Sequence, residues 1–154
     1  MRLKPLLFVI ALAVVAVSST AAQAANAPLT SAAYLTDVNS VCSIAHRQQA
    51  VVKKSASPAD FGRFIREMVF SERGKLSALG HLSPPAALSS LHAAVLANLR
   101  AQIALGDALP ADLGAKVMTQ RAITAGTKLD ALATAQVALW KKIGAATCAG
   151  TSGN

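Results

Sequence analysis

The chain has 154 residues, 53% of them hydrophobic but only 4% aromatic, with 15 Lys plus Arg against seven Asp plus Glu and a net charge of +8. That length suits one compact domain. Abundant alanine favours helix but offers little apolar area per residue for a core.

The N-terminus reads as a cleavable signal peptide over Met1–Ala24. Arg2 and Lys4 precede the apolar run Pro5–Val17, and Ala22-Gln23-Ala24 supplies the small residues of a cleavage site. The run falls short of the roughly 17 residues a spanning helix needs, and no other stretch approaches a transmembrane span. The expected compartment is therefore secreted or periplasmic. Losing Arg2 and Lys4 with the leader lowers the net charge from +8 to +6. For an exported chain, such a basic balance points to acidic partners or anionic surfaces rather than to nucleic acid.

Periodicity and punctuation divide the rest into four helices. The first follows Thr30 or Ser31 as cap and runs to about Lys54, with Tyr34, Val38, Val41, Ala45 and Val52 on one face. Ser57-Pro58-Ala59-Asp60 opens the second as cap serine, first-turn proline and acid, and Gly80 stops it after Leu79. Ser83-Pro84-Pro85 restarts the chain before Leu88, Leu91, Val95, Leu99 and Ile103, and Gly106-Asp107 closes this third helix. The last runs from near Pro110 to Ile143, with Gly144 as its stop and a disordered tail over 149–154.

No segment alternates with period two, so the expected class is all-α. Short connections favour an antiparallel up-down-up-down four-helix bundle over residues 25–148. The only cysteines, Cys42 and Cys148, then belong at one end of the bundle as a disulfide. A straight last helix descending about 50 Å would overshoot Cys42, which lies roughly 20 Å along the first helix. Either Ala145–Cys148 turns back or the helix bends; Gly126 followed by Thr127-Lys128-Leu129-Asp130 reads as a break and fresh cap, and the bend near Gly126 is the expectation. The competing reading of the cysteines is a metal site with His46 four residues after Cys42.

Two polar residues sit on apolar stripes. His92 falls among Leu88, Val95, Leu99 and Ile103, and Glu72 among Phe61, Ile65, Met68, Leu76 and Leu79. Each lies ten residues from Leu82, which sets them level in a hairpin and predicts a buried Glu72–His92 pair. A structural bond that fixes helix register is one reading; a ligand site, with Met68 or Met118 as a soft donor to haem or metal, is the other. No CxxCH, HExxH, phosphate loop or activated nucleophile occurs, so neither cofactor nor catalysis is expected. On the outer face of the second helix, Arg63, Arg66 and Arg73 surround Phe70, an interface composition that suits an acidic envelope or extracellular partner. A solvated charged face carrying one stray aromatic is the plainer alternative.

Tyr34 with Val38-Asn39 and Cys42, Leu76-Ser77-Ala78-Leu79 before Leu82-Ser83-Pro84-Pro85, His92, and Trp140 with Ile143-Gly144 and Cys148 together form a pattern. It resembles a broad group of small exported bacterial helical proteins with an early cysteine in the first helix, a Leu-x-x-Leu/Pro-Pro turn and a terminal Gly-x-x-x-Cys. The resemblance implies a helical fold and export, and it adds no activity. Unlike many of that group, the chain has no lipid-attachment cysteine. Two functional expectations follow: an interaction module of the envelope or extracellular space, or a carrier of haem, metal or a small apolar ligand between the helices.

Overall fold

The computed structural model describes residues 27–55, 61–109 and 120–150, and among them every regular element is helical. The elements are α1 (Ser31–Ser55), α2 (Phe61–Gly80), a single 3-10 turn at Ala86–Leu88, α3 (Ser89–Asp107), α4 (Gln120–Ile143) and α5 (Ala146–Ala149). The expected leader, the Ser57–Asp60 cap, the helix start at Pro110, Met118 and all of the tail beyond Gly150 lie outside the described residues. No described helix is long and apolar enough to cross a membrane.

Local chemistry explains the element ends. The Thr30 hydroxyl accepts from the Ala33 amide at 3.3 Å, taking up one of the donors that the first turn of α1 leaves unpaired. After Gly80 the chain turns through His81 and Leu82, whose amides bond back to Ala78 and Leu79. Pro84 and Pro85 prevent immediate re-entry into an α-helix, and the 3-10 turn bridges to Ser89. At the other end, Gly144 adopts φ +85°. Its amide bonds to Lys141 O at 3.2 Å and the Ala145 amide to Trp140 O at 3.1 Å, the paired pattern of a left-handed glycine cap. A residue with a Cβ disfavours that backbone region, so glycine is what lets the chain reverse there.

The reversal corrects the expected bend. α4 runs through Gly126 as one helix, and the Thr127 hydroxyl donates back to the Ile123 carbonyl at 3.2 Å instead of capping a new helix. The chain turns at Gly144, and α5 brings Cys148 to Cys42 at disulfide distance, with Cα atoms 5.2 Å apart. Ala149, expected in the tail, closes α5.

α1 packs against α2 and α5, α2 against α3, and α3 against α4. The C-terminal half thus reaches α1 chiefly through α5 rather than through α4 lying along it, as a regular bundle requires. The core gathers at this end: Tyr34, Val38 and Cys42 of α1 meet Leu79, Val95, Leu99, Trp140, Ile143, Ala145 and Cys148. Tyr34, Leu79 and Leu99 are fully buried and Trp140 nearly so, and each such side chain contributes on the order of 1.5 to 3 kcal/mol by leaving water.

Away from this core, α2 and α3 approach closely at Gly106, where a Cβ would collide with Val69 Cγ2. Gly106→Ala is expected to cost about 1 to 3 kcal/mol through overpacking, more than alanine's helix preference of about 1 kcal/mol returns. Urea denaturation checks this, and Val69→Ala in the same chain should restore most of the loss.

Candidate functional site

His92 is buried, as its position on the apolar stripe of α3 requires. Its partner is not Glu72. Tyr34 Oη lies 2.8 Å from His92 Nδ1, with the two rings edge to face. Burial lowers the imidazole pKa, while a hydrogen bond with the backbone of Leu79 works in the opposite direction. Burial pushes the Tyr34 hydroxyl up to about 12. Tyr34 therefore stays a phenol at neutral pH. A phenol donating to Nδ1 and a desolvated ring together favour the neutral imidazole of His92.

Glu72 looks toward α1. Its Oε1 accepts from Gln49 Nε2 at 2.7 Å and from Lys75 Nζ at 2.9 Å, and the same ammonium lies 2.6 Å from Oε2. Next to it, Ser71 is buried and donates to Gln48 Oε1. His46, half-buried, has its pKa lowered first by desolvation and then by Lys75 and Lys53, against the pull of Glu72. The expected pair fails on axial register. Glu72 stands eight residues, or about 12 Å, before the end of α2, whereas His92 stands three residues, or about 4.5 Å, into α3. On α3 it is Gln102 and Ile103, further from the turn than His92, that line a cavity with Glu72.

The cavity lies between α2, α3 and α4 and measures about 320 Å³. Phe64, Ile65, Met68 and Val69 of α2, Ile103 of α3 and Leu129 of α4 make its apolar wall, and Glu72, Gln102 and Asp130 supply its polar groups. Met68, expected near His92, lines this cavity instead, and His92 lies outside the lining. Gln102 continues a polar chain between α3 and α4, bonding Asn98 and Gln136, while Asn98 donates to the Leu132 carbonyl. As to metal, Cys42 and Cys148 are joined to each other. Among the described residues no three His, Cys, Asp or Glu side chains gather to hold an ion.

The outer face of α2 is divided. Phe70 is 77% exposed and stands on the rim of a groove between α1 and α2, lined also by Gln48, Val52, Arg63, Arg66 and Glu67. Arg63 and Arg66 are exposed beside it. Arg73 belongs elsewhere: its guanidinium pairs with Asp107 of α3 at 2.6 Å. The pair is exposed on both sides and contributes at most about 1 kcal/mol. Ile44 and Val51, about two turns apart on α1, are exposed too, and add apolar surface that sequence reasoning passed over. Comparison of the chain with protein-family models, with curated proteins and with solved structures finds no match.

Proposed function

We propose that this chain is an exported, non-catalytic interaction domain, and that the α1–α2 groove around Phe70 binds an acidic, partly apolar segment of another envelope or extracellular protein. The exposure of Phe70 between Arg63 and Arg66 carries the reading. An aromatic flanked by arginines is the composition that concentrates binding energy in protein interfaces, and the guanidinium groups select for carboxylates. Export rests on the leader-like sequence of Met1–Ala24 and agrees with the Cys42–Cys148 bond.

An antiparallel up-down-up-down order accompanies this reading. Arg73 meets Asp107 at the end of α3, whereas Leu79, further along α2, meets His92 near its start. Likewise Asn98 of α3 reaches Leu132 of α4, whereas the later Leu105 and Ala108 share a groove with the earlier Gln120 and Thr124.

The test is fluorescence anisotropy with labelled peptides carrying alternating Glu and Leu, alternating Lys and Leu, or neutral Gln and Leu. The Glu peptide should bind saturably and more weakly as salt rises. Phe70→Ala and Arg63→Glu/Arg66→Glu should each weaken it about tenfold or more, the equivalent of about 1.4 kcal/mol. Equal binding of all three peptides, or binding unchanged in both variants, overturns the proposal. So does adsorption to anionic vesicles without peptide binding.

A further inference from the structure

We infer that the cavity between α2, α3 and α4 is a binding site for a small amphipathic amine, held by its alkyl chain in the apolar wall and by its ammonium group at Asp130. The inference is independent of the groove at Phe70, which shares no lining residue with the cavity. Three observations carry it.

The first is shape and lining. At about 320 Å³ the cavity falls at the lower end of the range used by small-molecule sites. Its wall combines Ile65, Met68, Ile103 and Leu129, and the unbranched thioether of Met68 adapts to a chain of irregular fit.

The second is charge. Two of only seven acids in the sequence line this cavity, in a chain with a net charge of +8. None of the lining residues is Lys or Arg. Glu72 is already matched by Lys75 and Gln49. Asp130 is exposed, and among the described residues no cation pairs with it, so it is the carboxylate left to receive a ligand cation.

The third is the placement of that charge. Burying an ammonium group is costly unless it is paired and hydrogen-bonded. An exposed carboxylate beside an apolar cavity lets the head stay wet while the chain leaves water, the arrangement long cationic side chains adopt on proteins. A carboxylate-headed ligand of the same length would meet repulsion at the same point.

Isothermal titration calorimetry and thermal denaturation test the site with n-octylamine below its micellar concentration, and with octanoate and 1-octanol as controls of equal chain length. Octylamine should bind saturably and raise the melting temperature, with octanoate at least about tenfold weaker. Asp130→Asn, a surface change that leaves the core intact, should bring octylamine to the affinity of octanol. Met68→Phe, which fills the cavity, should abolish binding by all three while circular dichroism remains helical. Absence of saturable octylamine binding overturns the inference. Octanoate binding as tightly as octylamine overturns it too, as does octylamine binding unchanged in Asp130→Asn or lost in Phe70→Ala.

Discussion

The double variant Cys42→Ala/Cys148→Ala is expected to be about 4 to 5 kcal/mol less stable than the parent chain. The bond joins residues 106 apart, and in the chain-entropy account a loop of about a hundred residues corresponds to about 4.7 kcal/mol of constraint on the unfolded state. Domains of this size commonly have only about 5 to 15 kcal/mol in total, so the variant should sit close to its unfolding threshold. The native architecture adds to the loss. α1 meets the C-terminal half mainly through α5, and α5 is only four residues long. Without the bond its tie to α1 is the Thr147 amide donating to Asn39 Oδ1 at 3.0 Å, besides the contacts of Ala145 and Ala149 with the core. Urea denaturation of parent and variant, each with and without reductant, measures the difference. Reductant should bring the parent down to the variant and leave the variant unmoved. A difference below about 1 kcal/mol would mean that α5 is held by packing alone.

What was legible in the sequence follows the range of the forces involved. The Thr30 cap and the stops at Gly80 and Gly144 depend on a residue and its neighbours within one turn, and each is present where the pattern places it. Burial of His92 was legible for a related reason, since a 3.6-residue stripe fixes which side of a helix faces inward. The same stripe names no partner. Tyr34 lies 58 residues away on another helix, and only the assembled core brings its hydroxyl to Nδ1. The signal that existed was the phenol itself, because a buried tyrosine needs a hydrogen-bond partner.

The errors share a cause as well. Placing Glu72 opposite His92 assumed that the hairpin turns symmetrically about Leu82. The Pro-Pro segment and 3-10 turn instead delay α3 until Ser89, which moves the level of Glu72 past His92, toward Gln102 and Ile103 that line a cavity with it. Reading Gly126 as a break overweighted glycine's helix cost of about 1 kcal/mol, which one position in the 24-residue α4 absorbs. Arg73 fell on the outer face by angle, as the pattern indicates, but its contact with Asp107 is set by the α2–α3 crossing at Gly106.

The Tyr34–His92 contact leads to the second large effect. His92→Ala is expected to cost roughly 2 to 4 kcal/mol, because it leaves both a cavity and a buried phenol without its acceptor. Tyr34→Phe keeps the ring and orphans Nδ1, for about 1 to 3 kcal/mol. Tyr34→Phe/His92→Leu should cost less than the sum of Tyr34→Phe and His92→Leu made singly, since it removes both polar groups at once. The pH dependence has two limbs. The folded-state pKa values of His92 and His46 are both lowered, so the unfolded chain binds protons first. Stability is fully present above the unfolded value of about 6.5 and falls as pH drops toward the folded values, at up to about 1.4 kcal/mol per pH unit for each group. Tyr34 has the opposite sign. Its pKa is raised from 10.0 to about 12, so the unfolded chain loses its proton first, and stability falls as pH rises between those values. Urea midpoints at pH 5, 7.5 and 11 separate the limbs. His92→Leu should flatten the acid limb but leave the part due to His46, and Tyr34→Phe should flatten the alkaline limb. An acid limb unchanged in His92→Leu would place the titration at His46 alone and contradict the neutral, Tyr34-bonded imidazole.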